Sequence, residues 1–184
     1  MNEFNSLADF LDKAWQLLGR GVADRRAPSR HPTFATVSPR GDPEARTVVL
    51  RAADREMATL DVHTDTKSAK FEALKKYPAA ELHIWEPKPR IQIRLLTEVE
   101  LLTEAITLSA WDKVPPKSRD SYGIEPAPGS AIAGAFEYTK TPDQSRFSVL
   151  RCSVKSIDLL HLGDQHQRAK YLRSDNWQGT WLAP

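Results

Sequence analysis

The stretch RTVVLRAADREMATLDVHTDTKSAKFEAL, residues 46–74, decides how the rest of the chain is organised. It predicts a strand that begins and ends with arginine, a second strand after a polar turn, and a polar loop that leads into a helix. Ser68 and Lys70 flank the expected helix start, where unpaired backbone N–H groups and the helix dipole favour an anion. The stretch therefore predicts an anion-binding site.

The two arginines of the first strand, Arg46 and Arg51, are expected to meet different parts of a ligand. Side chains alternate along a regular strand, so an offset of five places them on opposite faces, roughly 16 Å apart. One could bind a phosphate while the other lies near the far end of an elongated ligand. The alternative is a pair of solvated arginines, with Thr66 or Ser68 serving only as a helix cap and Lys70 solvated.

The remainder of the chain predicts one domain, residues 1–184, that is mainly β with peripheral helices (α+β). Apolar residues at helical spacing predict an amphipathic helix over residues 1–20, capped by Asn2 or Asn5 and ended by Gly19 and Gly21. Short turns between the strands favour antiparallel pairing and a barrel of six to eight strands. Strands are predicted over 33–38, 45–52, 58–63, 80–85, 92–102 and 147–162, with closing segments 167–173 and 176–182, helices over 68–77 and 104–113 (capped by Thr103), and a Pro/Gly-rich loop or lid over 114–133.

The composition argues against several classes of protein. With 26 basic and 24 acidic residues, charge alone gives no reason to expect a nucleic acid or membrane surface as partner. The single cysteine, Cys152, rules out an intrachain disulfide and is expected in the core. The sequence shows no apolar run of about 18 residues and no secretory signal, so we expect a soluble cytoplasmic protein.

Few side chains are equipped to catalyse a reaction by themselves. The five histidines are scattered without ligand spacing, so no metal site is expected. Gln92 begins an otherwise apolar strand, where its amide could pair with a heterocycle; Arg168 and Trp177 are equally ambiguous. A bound cofactor that carries the chemistry would account for this pattern.

Five segments in order then suggest a family: RTVVLR, DTKSAK, IWEPKPRIQIRL, HQRAKY and the terminal WQGTWLAP. Together they resemble the pyridoxamine 5′-phosphate oxidase family of FMN-binding split barrels, from about residue 34 to residue 184. The resemblance implies a split β-barrel and a homodimer that binds FMN at the subunit interface. It also implies roles for individual residues.

On the cofactor side, the resemblance places Arg46 at the phosphate or ribityl chain and Arg51 at the far end. Ala69 replaces the middle arginine of the family's Ser-Arg-Lys phosphate site. The implied FMN-binding residues are Arg46, Thr47, Val48, Val49, Leu50, Arg51, His63, Thr64, Ser68, Lys70, Gln92 and Arg168.

On the substrate side, the resemblance implies contacts from Arg51, Ser118 and His166. The family's tyrosine and arginine fall on Ala110 and Val114, and its C-terminal arginine on Asp164, so the clamp for a B6 phosphate is largely absent. The resemblance thus implies an FMN-dependent oxidoreductase with an unassigned small-molecule substrate and no assigned catalytic residue.

Two alternatives remain open. The chain could bind flavin or haem without turnover, and haem would need an axial ligand such as His63 or His166. It could also be a structural barrel that has lost its cofactor, for which the replacement at Ala69 is the main argument.

Overall fold

The computed structural model describes residues 4–184, and the suggested cap Asn2 lies outside this range. Runs of consecutive strands are separated by single or paired helices, with four 3₁₀ turns at 28–30, 104–107, 144–146 and 173–175. The elements are α1 (Leu7–Ala23), β1 (Thr33–Val37), β2 (Pro43–Thr47), β3 (Leu50–Asp54), β4 (Thr59–Asp65), α2 (Ala69–Lys76), β5 (Ala79–Glu86), β6 (Ile91–Leu102), α3 (Leu108–Asp112), α4 (Pro116–Arg119), β7 (Ile124–Glu125), β8 (Thr139–Lys140), β9 (Phe147–Leu162), β10 (His166–Leu172) and β11 (Thr180–Leu182).

Strand β9 is the longest strand and pairs with three others in the centre of the sheet. Its 16 residues pair with β6 along nearly their whole length, with β4 at the N-terminal half and with β10 at the C-terminal half. The strand order is β11-β10-β9-β6-β5-β1-β2, and β4 joins β3 to β9. Every pairing is antiparallel, and this arrangement confirms the predicted split-barrel class.

The core lies inside this curved sheet and beneath α1. Phe34, Leu82, Leu95 and Leu150 are fully buried, because alternate positions of their strands face inward. Helix α1 adds its apolar stripe to the same cluster. The barrel core and this helix are expected to supply most of the hydrophobic stabilisation.

The N-terminal helix differs from its predicted ends. Ser6, rather than Asn5, is the N-cap, and its hydroxyl accepts a 3.0 Å hydrogen bond from the Asp9 N–H. The helix passes through Gly19 and Gly21 to Ala23. A Cβ at Gly21 would lie 2.7 Å from the carbonyl group of Ser29, so this glycine permits close packing instead of ending the helix.

The predicted single strand over 45–52 is wrong. Strand β2 ends at Thr47 and β3 begins at Leu50, because the two pair with different neighbours, β1 and β4. Between them, the Val48 N–H donates to the Pro32 carbonyl over 3.0 Å. Because side chains alternate only along a regular strand, the break removes the reason to place Arg46 and Arg51 on opposite faces.

In the second half of the chain, several elements are shorter or more irregular than predicted. The helix expected over 104–113 is a 3₁₀ turn followed by the short α3, and Thr103 makes no side-chain cap bond. The expected loop 114–133 contains α4 and β7, which pairs with β8 in a separate hairpin. The closing strand shrinks to β11, since Asn176 and Trp177 adopt positive φ. The main sheet has nine strands, more than the six to eight expected.

Candidate functional site

A cavity of about 330 Å³ gathers most of the residues that the sequence suggested for the cofactor. It lies where β2, β3, β4 and the start of α2 meet the segment after α4. Its lining consists of Arg46, Thr47, Val48, Val49, Arg51, His63, Thr64, Asp65, Ser68, Lys70, Ser121, Tyr122, Ile124 and Pro128.

Two hydroxyls and an ammonium group meet within this cavity. Lys70 Nζ donates to Thr64 Oγ1 over 3.0 Å, and Thr64 Oγ1 lies 2.9 Å from Ser68 Oγ. Ser68 occupies the N-cap position of α2 but makes no side-chain cap bond, so its hydroxyl does not serve only as a helix cap. Burial lowers the pKa of Lys70, the nearby Arg46 lowers it further, and Asp65 opposes both. An anion placed here would offset the repulsion between the two cations.

Arg46 is held firmly beside this group. Its Nη1 donates to Thr36 Oγ1 over 2.6 Å and to the Phe34 carbonyl over 3.3 Å, while Nη2 contacts Glu44 Oε2 at 2.8 Å. The guanidinium is therefore oriented before any ligand arrives, which reduces the entropy cost of binding.

Arg51 and His63 form a wall between this cavity and a second one of about 460 Å³. Arg51 Nε is buried and lacks a hydrogen-bond partner among residues 4–184. Burial, followed by the charge of Arg51, lowers the pKa of His63 to about 4, so its imidazole is neutral at pH 7. Burial raises the pKa of the neighbouring Tyr122 phenol, and Arg51 opposes that shift.

The structure does not bring the suggested substrate residues together at one site. Ser118 lines a third cavity, of about 360 Å³, together with Arg51 and Val49. Ala110 and Val114 line the 460 Å³ cavity, where they leave room that larger side chains would fill. His166 is exposed at the start of β10 and lines none of the three cavities.

Three suggested cofactor residues lie elsewhere in the protomer. Leu50 is fully buried in the core. Gln92 and Arg168 share one face of the sheet through the register row Gln92–Leu160–Arg168, and Arg168 pairs with Asp158 at 2.9 Å. Gln92 pairs with Leu160 of β9, whereas Thr64 of the cavity pairs with Ser148 of the same strand. The twelve residues between Ser148 and Leu160 correspond to roughly 40 Å of extended strand, so Gln92 lies far from the cavity of its own protomer.

A buried ion pair that shapes the cavity was not among the residues predicted from the sequence. The buried Asp65 carboxylate contacts Arg146 Nη2 at 2.8 Å and accepts a 3.0 Å bond from the Gly123 N–H. These contacts place Tyr122 and Ile124 over the cavity. The only signal in the sequence was a charged residue, Arg146, at the start of an apolar strand.

In residues 4–184, no group of three or more His, Cys, Asp or Glu side chains is arranged to hold a metal ion. No helix in this part of the chain has the length and apolar character required to cross a membrane.

The chain belongs to the family whose model is described as "Pyridoxamine 5'-phosphate oxidase, FMN-binding domain", which matches residues 12–103. A pyridoxine/pyridoxamine 5′-phosphate oxidase of Nostoc punctiforme is 28% identical over 163 residues, 81% of this chain and 74% of the relative. The corresponding protein of Microcystis aeruginosa is 37% identical over 89 residues, 48% of this chain and 41% of that relative.

Solved structures agree with this assignment. An FMN-binding protein related to pyridoxamine 5′-phosphate oxidase, from Nostoc punctiforme, superposes with a TM-score of 0.76 at 25% identity, covering 94% of this chain and 96% of that one. PhzG from Burkholderia lata, solved with tetrahydrophenazine-1-carboxylic acid, has a TM-score of 0.77 at 20% identity, covering 100% of this chain and 98% of that one, and supports the fold alone.

FMN is the cofactor of this family's domain. The donor set of the 330 Å³ cavity suits its phosphate, since a phosphate monoester seeks cations and hydroxyl donors. Arg46, Lys70, Thr64 and Ser68 supply these groups even though Ala69 brings no cation.

Proposed function

We propose that the protein is an FMN-dependent oxidoreductase that works as a homodimer on a small-molecule substrate. One observation carries the proposal: nine of the twelve residues suggested for FMN by the sequence line one cavity. These nine are Arg46, Thr47, Val48, Val49, Arg51, His63, Thr64, Ser68 and Lys70. We further propose that the chain acts as a single domain in the cytoplasm, where its unpaired Cys152 would stay reduced.

The phosphate end of the cofactor is assigned to the α2 side of the cavity. Lys70 and Arg46 neutralise the phosphate charge, and Thr64 and Ser68 donate hydroxyl hydrogen bonds. After Thr47, the last residue of β2, Val48 and Val49 leave regular pairing, and all three residues line the cavity, where they can follow the elongated ligand. Arg51 marks the opposite end, towards the substrate.

Bound FMN would supply the redox chemistry, taking a hydride from substrate and passing electrons to oxygen or another acceptor. The chain's own side chains position the reactants and exclude water. His63 stays neutral at the wall between the 330 and 460 Å³ cavities. Arg51 presents a fixed positive charge to both cavities, and Tyr122 helps to close the first from solvent.

The positions of Gln92 and Arg168 are an argument for a homodimer. Both are suggested flavin contacts, yet neither lines the cavity of its own protomer. A second copy that presents its sheet face to the cavity would bring the two sets together at one FMN. The partly exposed Leu160, which lies between Gln92 and Arg168 in the sheet, would be covered at the same time.

Anaerobic reduction of the bound flavin tests the activity. The FMN-loaded protein is mixed with pyridoxine 5′-phosphate, pyridoxamine 5′-phosphate, NADH or NADPH, and the visible bands of oxidised flavin are followed. We expect at least one donor to bleach these bands within turnover times. Bands that persist with every donor would favour flavin binding without turnover, and a Soret band in the purified protein would favour haem.

A further inference from the structure

Gln92 and Arg168, the suggested flavin contacts on the sheet face, each contact a second polar side chain. His83 Nε2 lies 3.3 Å from Gln92 Oε1. Arg168 donates twice to Asp158, from Nε to Oδ1 over 3.2 Å and from Nη2 to Oδ2 over 2.9 Å. The strand register places all four side chains on one face of the sheet, because residues directly opposite each other, and residues two apart on a strand, share a face.

The contact with Asp158 fixes the plane of the Arg168 guanidinium. The Asp158 side chain is only 15% exposed, and its two oxygens accept from two different nitrogens of the arginine. This side-on pairing leaves both N–H groups of Nη1 free to donate to a ligand. A guanidinium that is already oriented loses less conformational entropy when the ligand binds.

The Arg168–Asp158 pair continues across the sheet as a row of alternating charges. Arg94 stands opposite Asp158 in the register and donates to Glu81 from Nε over 2.8 Å and from Nη2 over 3.2 Å. Across β5, β6, β9 and β10 the order is Glu81, Arg94, Asp158 and Arg168, and these charges sum to zero. A second copy that covers this face would therefore bury charges that are already paired, which avoids the large penalty of an unpaired buried charge.

The contact with His83 selects which end of the Gln92 amide meets a ligand. The amide offers a carbonyl acceptor at one end and an NH₂ donor at the other. The register pairs Trp85 with Gln92, so His83 reaches Gln92 along the diagonal of the two strands. A His83 ring that donates from Nε2 occupies Gln92 Oε1 and leaves the NH₂ group to face the ligand.

We propose that His83 and Asp158 are positioning residues for the flavin ring, an assignment that rests on the proposed function because Gln92 and Arg168 are its flavin contacts. His83 orients the Gln92 amide, and Asp158 orients the Arg168 guanidinium, towards the flavin held by a second copy. Neither His83 nor Asp158 lines the 330 Å³ cavity, so each acts through its neighbour. The contacts serve the ring and not the phosphate, so they should affect FMN and riboflavin alike.

Titration of the cofactor-free protein with FMN and with riboflavin tests the role of Asp158. We expect Asp158→Asn to weaken binding of both flavins by the same factor, about three- to tenfold, because Arg168 loses its charged partner. Asp158→Glu keeps the carboxylate and should recover most of the affinity. The absorption bands of the bound flavin should shift in Asp158→Asn and return in Asp158→Glu, a change that a loss of stability alone would not produce.

Double variants separate positioning from a structural role. If Asp158 acts through Arg168, Asp158→Asn should change flavin affinity by less than about twofold once Arg168→Ala is present. His83→Phe keeps a ring at a half-buried position and gives an independent test. It should weaken binding of both flavins, and its effect should likewise disappear in the Gln92→Ala background.

Glu98→Gln is the matched control. It breaks an exposed ion pair with Lys155 that joins the same two strands, β6 and β9, and Glu98 lines none of the three cavities. We expect its flavin affinity and absorption bands to equal those of wild type. Thermal melts of all variants check that each one is folded at the temperature of the titration.

Three results would overturn the inference: wild-type affinity for both flavins in Asp158→Asn and His83→Phe, an undiminished effect of Asp158→Asn in the Arg168→Ala background, or an equal effect of Glu98→Gln. Each of these leaves the proposed function standing as long as Arg168→Ala and Gln92→Ala weaken flavin binding. Unchanged flavin binding in Arg168→Ala and Gln92→Ala themselves would instead contradict the shared flavin site of the proposed function.

Discussion

Lys70 Nζ lies 3.0 Å from Thr64 Oγ1, so that the ammonium group is held at the wall of the 330 Å³ cavity instead of in bulk water. The contact joins the start of α2 to the end of β4, the two elements of residues 46–74 that the sequence placed at an anion site. Burial and Arg46 both lower the pKa of Lys70, and a phosphate bound beside it would raise that pKa again, because the opposite charge favours the ammonium form.

The affinity for FMN should therefore depend on pH through Lys70. A phosphate favours the protonated amine, so affinity is constant below the lowered pKa of Lys70 and falls as pH rises through it. Quenching of FMN fluorescence between about pH 7 and pH 10 measures this, with an onset below that of an ordinary lysine. The Lys70→Gln variant should lose this dependence, and an identical pH profile in both proteins would contradict the assignment.

His63 should make the FMN-free protein less stable in mild acid. Its pKa is about 4 in the folded chain and 6.5 when unfolded, so the unfolded chain binds more protons between these values. The free energy of unfolding should fall as pH drops from about 6.5 to about 4, by at most about 3 kcal/mol. Urea denaturation at several pH values tests this. His63→Gln should flatten the slope, whereas the exposed control His166→Gln should retain it.

The Asp65–Arg146 pair should be important for stability. Asp65→Leu removes the buried 2.8 Å partner of Arg146, while Glu125 still contacts the guanidinium at 2.7 Å, so the cost should be near the lower end of about 3 to 5 kcal/mol of unfolding free energy. Arg146→Met should be similarly costly, and the double variant should cost less than the sum. The matched control is Arg151→Met, which breaks the more exposed pair with Asp61 and should cost about 1 kcal/mol or less. Strict additivity in the double variant would show that the pair is not coupled.

Mixing of subunits tests whether two protomers build each FMN site. One variant carries Arg46→Ala and Lys70→Ala, the other Gln92→Ala and Arg168→Ala, and each should bind FMN weakly. Unfolding and refolding them together should restore about a quarter of the wild-type sites, because half the dimers are mixed and each has one intact site. No recovery above the separate variants would contradict a shared site.

Long strands could be predicted from sequence because their signal is local. The apolar run of β9 has the bounds Phe147–Leu162 in both the prediction and the structure. The break at Val48 and Val49 could not be predicted in this way, since it depends on the Pro32 carbonyl and on two separate pairing partners. Alternation along an assumed regular strand therefore gave a wrong argument about Arg46 and Arg51.

The candidate site likewise combines residues that could be placed from local sequence with residues that only tertiary folding brings in. Thr64, Ser68 and Lys70 are close in sequence, and they could be placed together from a strand, a loop and a helix start. Tyr122 reaches the site only through tertiary folding, because the neighbouring Gly123 N–H is bound by Asp65.

We propose above all that Lys70 and Arg46 bind the phosphate of FMN. The most direct test titrates the cofactor-free protein with FMN and with riboflavin, which lacks the phosphate, and compares wild type with the Arg46→Ala/Lys70→Ala variant. Lys75→Ala is the control, because Lys75 lies on the same helix but pairs with Glu72 in solvent. We predict that wild type and control prefer FMN by at least about a hundredfold and that the double variant loses most of this preference. An unchanged preference in the double variant would contradict the claim.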